Sequence, residues 1–315
     1  MKKLFWTAVA VIIMFGSPVF VQAGSFIDDS GNKITFDKPF TRVISLYAAH
    51  TENIISMGAE KQLIGVSPHE TYPPVALTKP VFSYHDDVEK FLQAQPDLVL
   101  IRPMIYRGYK KLVDRLKEAG IEVVSLQPTT VDGMFDYWLK LGKLLGKEQD
   151  ALEMIATFKK KVEEIRGIVE KIPEKEHKKV YFESIHKRMK TFAPNSIAIF
   201  VLTTAGGLNV ANDARPVRHS NIAEYGKERI ISHASEIDVY LAQKGPMNRI
   251  SVEKIENEPG FQAIKAVAEG KIFIIDESIV SRPTMRILEG IRKIAHILYP
   301  DYFGTGTREG SDVVR

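Results

Sequence analysis

Apolar and polar positions along this chain alternate in short blocks of two different periods. Phe26-Ile27 and Ile34-Thr35-Phe36 flank Asp29-Ser30-Gly31-Asn32, which predicts a hairpin with turn residues at its tip. Arg42-Val43-Ile44-Ser45-Leu46 and residues 63–66 read as short buried strands, and residues 121–126 as another. Asp97-Leu98-Val99-Leu100-Ile101 is an unbroken apolar run, the pattern of a strand covered on both faces. Helices are expected between these runs. One covers 51–57 and stops at Gly58, one covers 88–94 and stops before Pro96, and one covers 109–119 with Gly120 as its cap. Alternating strands and helices imply an α/β unit with a mostly parallel sheet.

The period then settles at three to four. Leu152, Ile155, Phe158, Val162, Ile165 and Val169 recur in a charged background until Pro173, so one helix is expected from about 147 to 171. At 1.5 Å per residue such a helix is roughly 36 Å long, enough to act as a strut between two lobes. Alternation restarts after it, with strands at 179–183, 238–242 and 271–275 and helices at 197–204 and 285–298. The expected fold is therefore α/β in two lobes, each a mostly parallel sheet flanked by helices, joined by one long α-helix. The first lobe spans 24–146, the bridging helix 147–172, the second lobe 173–303, and residues 304–315 form a disordered tail.

Composition narrows the setting. Lys2 and Lys3 precede an apolar stretch from 4 to 20, and Val21-Gln22-Ala23 supplies a small-residue cleavage site, so residues 1–23 read as a cleavable signal peptide. The chain contains no cysteine, which removes disulfides, a thiolate nucleophile and a lipid-anchored Cys from consideration. The product is expected in the periplasm, unanchored and monomeric. Removing the leader takes the formal charge from +4 to +2, too even a balance for nucleic-acid binding. No GxSxG elbow, HExxH helix or phosphate-cradling glycine loop is present, so an enzyme is not expected. No metal site is expected either, because His85, Asp86 and Asp87 are adjacent and do not converge on one ion.

Several ordered segments carry a resemblance. They are Arg42 to Leu46, Thr51-Glu52-Asn53-Ile54-Ile55, Met57-Gly58-Ala59 and Leu63-Ile64-Gly65-Val66-Ser67, then Val88-Glu89 with Gln95-Pro96-Asp97-Leu98-Val99-Leu100. In the second half Ala205-Gly206-Gly207, Asp238-Val239, and Ser281-Arg282-Pro283 with Arg286 and Glu289-Gly290 follow in order. Together they resemble the helix-bridged (class III) periplasmic binding proteins, the substrate-binding components of ABC importers for ferric siderophores, haem and vitamin B12. The sequence departs from that family at Ser235-Glu236-Ile237-Asp238 and at Phe82 to Asp87.

The resemblance implies a ligand held between the lobes, under loops that leave strand C-termini. At those positions stand Tyr47, His50, Tyr84, His85, Arg102, Tyr106 and Arg107 in the first lobe, and His186, Arg215, Arg218 and Arg282 in the second. Guanidinium forks suit carboxylate and catecholate oxygens, and aromatic rings stack on planar ligands. The expected ligand is an anionic ferric siderophore, with haem or a corrinoid as the alternatives and a periplasmic sensor or scaffold as a different use of the fold. The resemblance also implies docking to an ABC permease dimer through one exposed glutamate per lobe, Glu89 and Glu228.

Overall fold

The computed structural model describes residues 24–217 and 220–304. The expected signal peptide, Arg218 and the tail beyond Gly304 lie outside the described residues.

Strands β1 (Gly24–Ile27) and β2 (Lys33–Phe36) form the antiparallel hairpin. Its turn closes because the Asp28 carboxylate accepts from the amides of Ser30 at 2.9 Å and Asn32 at 2.8 Å. The other Asp28 oxygen accepts from the Ser125 amide at 3.1 Å and ties the hairpin to the main sheet. That sheet orders β4 (Leu63–Gly65), β3 (Val43–Ser45), β5 (Leu98–Ile101) and β6 (Glu122–Ser125), all parallel. Every residue of β5 is buried, as its apolar run requires. The helices between these strands are α1 (Ala48–Ser56), α2 (Val88–Ala94), α3 (Pro103–Gly108) and α4 (Lys110–Glu118). The helix expected at 109–119 is preceded by α3, an extra turn opened by Pro103 at its first position.

Two consecutive helices follow, α5 (Val131–Leu145) and α6 (Glu148–Val169). The six buried residues of α6 are Ala151, Met154, Ile155, Phe158, Val162 and Ile165, whereas Leu152 is half exposed. At 22 residues α6 is about 33 Å long.

The second sheet contains β7 (Lys179–Ile185), β8 (Lys190–Phe192), β9 (Leu208–Asn209), β10 (Arg215–Pro216), β11 (Ile222–Glu224), β12 (Val239–Lys244) and β13 (Ile272–Asp276). Its long strands β7, β12 and β13 are parallel. Short strands β8, β11 and β10 extend it antiparallel, and β9 joins the start of β7. The helices here are α7 (Ile197–Thr204), α8 (Lys227–Ser232), α9 (Val252–Glu256), α10 (Lys265–Ala268), α11 (Glu277–Val280), α12 (Ile287–Leu298) and α13 (Pro300–Phe303).

One apolar cluster runs from the first lobe through α6 into the second. Phe158 of α6, only 1% exposed, lies against Trp138 at 5.6 Å and Phe135 at 5.7 Å, both from α5, and Phe200 of α7 at 6.3 Å. The loop between α11 and α12 crosses back to the first lobe. There the Pro283 carbonyl accepts from Asn53 Nδ2 at 2.9 Å and from Trp138 Nε1 at 3.0 Å. The lobes thus meet through packed aromatics and buried hydrogen bonds as well as through α6.

Candidate functional site

Parallel strands β5 and β6 end on the same edge, so the segments that leave them share one wall. A cavity of about 460 Å³ opens there. Pro103 and Arg107 from α3, Gln127 to Thr130 after β6, and Asp29 at the hairpin tip line it on the first-lobe side. Ser220 and Asn221 face them from the second lobe.

The cavity lining carries two carboxylates, Asp29 and Asp136, and two cations, Lys140 and Arg107. Lys140 Nζ bonds Asp136 Oδ2 at 2.8 Å and stands 4.0 Å from Asp29 Oδ1. Burial pushes the Asp29 carboxyl up, although the Gln127 amide, 2.6 Å away, and Lys140 both favour its ionised form. Arg107 is exposed and has no ion pair among the described residues. The rest of the lining is uncharged, and Gln127, Thr129, Thr130, Ser220 and Asn221 give it neutral hydrogen-bonding groups beside Pro103, Pro128, Gly133 and Tyr137. Thr130 is partly committed, since its hydroxyl caps α5 by accepting from the Gly133 amide at 3.1 Å.

Of the expected ligand residues that are described, Arg107 alone lines this cavity. Tyr47, Arg102 and Arg282 meet beside it, at the lobe boundary. The Arg102 guanidinium lies 4.5 Å over the Tyr47 ring, and its Nε is buried without a partner among the described residues. Burial raises the Tyr47 hydroxyl, with Arg102 and Arg282 opposing the shift. Arg282 is largely buried and donates to Glu277 at 3.2 Å, so its charge is already engaged.

His50 sits in the core. It is 0% exposed, its Nδ1 sits 2.8 Å from the Tyr137 hydroxyl and its Nε2 is 3.1 Å from the Ile101 carbonyl. Burial holds its pKa at about 3, so it is a neutral core residue that links α1, α5 and β5. The Tyr106 hydroxyl donates to Asn32 of the hairpin at 2.7 Å, Lys117 covers its ring, and it does not line the cavity. Tyr84 and His85 group with Tyr109 at ring distances of 4.5–5.1 Å, outside the cavity lining.

In the second lobe His186 belongs to a polar network. Its Nδ1 lies 2.8 Å from buried Glu183, its Nε2 is 3.5 Å from Glu258, and Glu183 raises its pKa most. Tyr240 donates to the same Glu183 oxygen at 2.5 Å. His186 therefore packs within its lobe and does not line the cavity. Arg215 is exposed on β10 opposite Glu224. Glu89 and Glu228 both stand exposed in the first turns of α2 and α8, and Arg115 donates to Glu89 at 2.8 Å.

Sequence reasoning missed Gln127, Thr129, Thr130, Ser220, Asn221 and the Asp29–Lys140–Asp136 group. The first three were within reach, since they follow β6 as Arg102 follows β5, and the strand-end rule covers both. Lys140 and Asp136 form an i, i+4 pair on α5 that points to a helix surface and carries no signal for a cleft.

A family model described as periplasmic binding protein matches residues 43–279. An uncharacterized ABC transporter substrate-binding lipoprotein of Bacillus subtilis is 24% identical over 88% of this chain and 86% of its own length. A cobalamin-binding protein of Halobacterium salinarum is 25% identical over 86% of this chain and 73% of its own length. Among solved structures, a possible iron-binding (periplasmic solute-binding) protein from Staphylococcus epidermidis superposes with a TM-score of 0.72 at 27% identity, covering 83% of this chain and all of that one. The chain belongs to the periplasmic binding protein family.

Proposed function

We propose that this family member captures a metal chelate between its lobes in the periplasm and delivers it, as a monomer, to the permease dimer of an ABC importer. We further propose that the chelate is a corrinoid. The charge balance of the cavity carries this reading. The ferric siderophore expected from sequence rested on a count of arginines, but Arg102 covers Tyr47, Arg282 pairs with Glu277 and Arg215 sits on β10. Among the described residues Arg107 is then the one uncompensated cation in the lining, against a Lys140 flanked by two carboxylates. A multiply anionic chelate would enter this site with most of its charge unpaired, which costs several kcal/mol. A corrinoid presents carboxamides at its rim, and the Gln, Thr, Ser and Asn side chains of the lining complement those.

The cobalamin-binding relative supports the same reading. The iron-binding protein from Staphylococcus epidermidis supports a ferric chelate as the second one. Calorimetric titration with cyanocobalamin, haem, and ferric hydroxamate and catecholate siderophores tests the choice. Tight binding of cyanocobalamin is expected. Binding of a ferric siderophore or haem alone would overturn the corrinoid assignment, and binding of none would favour a sensor or scaffold.

A further inference from the structure

The lobe boundary holds buried charge that does not line the cavity. The Glu52 side chain on α1 is 3% exposed, and both its oxygens are buried with no hydrogen-bond partner among the described residues. Arg286 of the crossing loop is its nearest cation, with Nη1 at 3.8 Å from Oε2, too far for a hydrogen bond. From the same loop the Thr284 hydroxyl and Arg282 also act on Glu52, and Glu70 adds a like charge from the first lobe. Glu70 is half satisfied. Its Oε1 accepts from Thr51 at 3.0 Å and from the Ser67 hydroxyl at 2.7 Å, while its Oε2 is buried and unpartnered among the described residues. Neither arginine is free to compensate fully. Arg286 is shared with Glu289 at 3.4 Å and with the Tyr72 ring at 4.6 Å, and Arg282 with Glu277.

We propose that the contact between α1 and the 281–286 loop is a proton-linked clasp, which holds the lobes together while Glu52 is uncharged and loosens when Glu52 ionises. An ionised Glu52 in the closed contact has lost its water and gained only the nearby Thr284 hydroxyl and two shared guanidinium groups, against a like-charged neighbour. That burial cost exceeds the return from these weak contacts. A neutral carboxyl in the same place costs far less. Burial accordingly raises both Glu52 and Glu70 above the usual carboxylate range. A carboxyl raised in the closed contact stabilises that contact below its ordinary value, near 4.5, and the stabilisation is lost as pH rises through the raised value. The clasp is a property of the two-lobe architecture and is independent of which chelate is bound.

Trp138 reports on it, because its indole donates to Pro283 in the crossing loop. Trp6 is the only other tryptophan in the sequence, so a Trp6→Phe background isolates the signal. Without ligand, Trp138 emission should move to longer wavelength as pH rises above the usual carboxylate range, the loop loosens and water reaches the indole. Glu52→Gln should hold the emission near its acid position throughout. Arg286→Gln, which removes the nearest cation and makes ionised Glu52 costlier, should enlarge the shift. An emission that does not move in the parent, an equal shift in Glu52→Gln, or an unchanged or smaller shift in Arg286→Gln would overturn the clasp.

Discussion

Trp138 on α5 donates its indole N–H to the carbonyl of Pro283, 145 residues away in the other lobe, at 3.0 Å. Asn53 donates to the same oxygen at 2.9 Å, and neither side chain is exposed. One carbonyl of the second lobe is thus gripped by two donors from two helices of the first.

Trp138→Phe removes one of those donors and leaves the Pro283 carbonyl with the other. A loss of about 1–3 kcal/mol is expected in urea unfolding. Asn53→Ala should cost a similar amount. The double variant should lose about 1 kcal/mol more than the sum of the singles, because only then is the buried carbonyl left without a partner. Strict additivity would mean that the two donors act separately and that the shared grip has no energetic content.

His50 makes the fold acid-sensitive in a defined window. Its pKa falls from 6.5 to about 3 on folding, so the unfolded chain binds the proton first and stability drops as pH falls from 6.5 toward 3. By about pH 5 the His50 contribution to that loss should be roughly 2 kcal/mol. Glu52 and Glu70, with raised values, act in the opposite sense, so the quantity to read is the difference between parent and variant. His50→Gln keeps polar contacts without titrating. Its stability measured against pH should fall less steeply than the parent's below pH 6.5, and parallel curves would refute the assignment of His50 as a neutral core residue.

The arginines should separate by readout. Arg107→Ala removes an exposed cation from the cavity lining and should weaken cyanocobalamin binding by about tenfold at unchanged stability, the worth of one charge-assisted hydrogen bond. Arg282→Ala strands Glu277 and should lower the melting temperature while changing the dissociation constant by less than about twofold. The reverse pattern would return Arg282 to the ligand site and take Arg107 out of it.

These residues also show how far the sequence was legible. The parallel strands were, because a covered strand such as Leu98–Ile101 must be apolar throughout, and α6 was, because one face repeats along its whole length. Helix α5 was not read, although Thr130 caps it and Met134, Tyr137, Trp138, Leu141 and Leu145 recur on one face. Two internal glycines blunt its propensity. Gly142 is there because a Cβ would stand 2.8 Å from both the Ala151 side chain and the Lys147 carbonyl, where α6 turns back against α5. Strands β8 to β11 have two or three residues each, too few to show any period. In the site, Arg and His were recognisable as residue types with chemistry, but type does not reveal engagement. His50 and Arg282 were already committed to partners within the protein, whereas Thr129 and Asn221, unremarkable in the sequence, face the cavity.

Docking should depend on Glu89 and Glu228. Each carboxylate is exposed in the first turn of a helix, where the helix dipole favours negative charge, and the two stand on different lobes. Glu89 is the better prepared of the two, since Arg115 holds it from one side at 2.8 Å, and its own backbone amide followed by Arg115 keeps its carboxyl below the usual range. Glu228 has no ion pair among the described residues, so docking must order its side chain. Exposed charges of this kind steer encounter and fix register more than they add affinity. Glu89→Lys with Glu228→Lys should therefore abolish ligand uptake by cells while leaving cyanocobalamin affinity in solution within about twofold of the parent, because neither residue lines the cavity. Glu89→Lys alone should cost more uptake than Glu228→Lys alone, since it also sets the introduced ammonium against the Arg115 guanidinium at the docking face. Uptake that survives the double reversal would remove both glutamates from the permease interface.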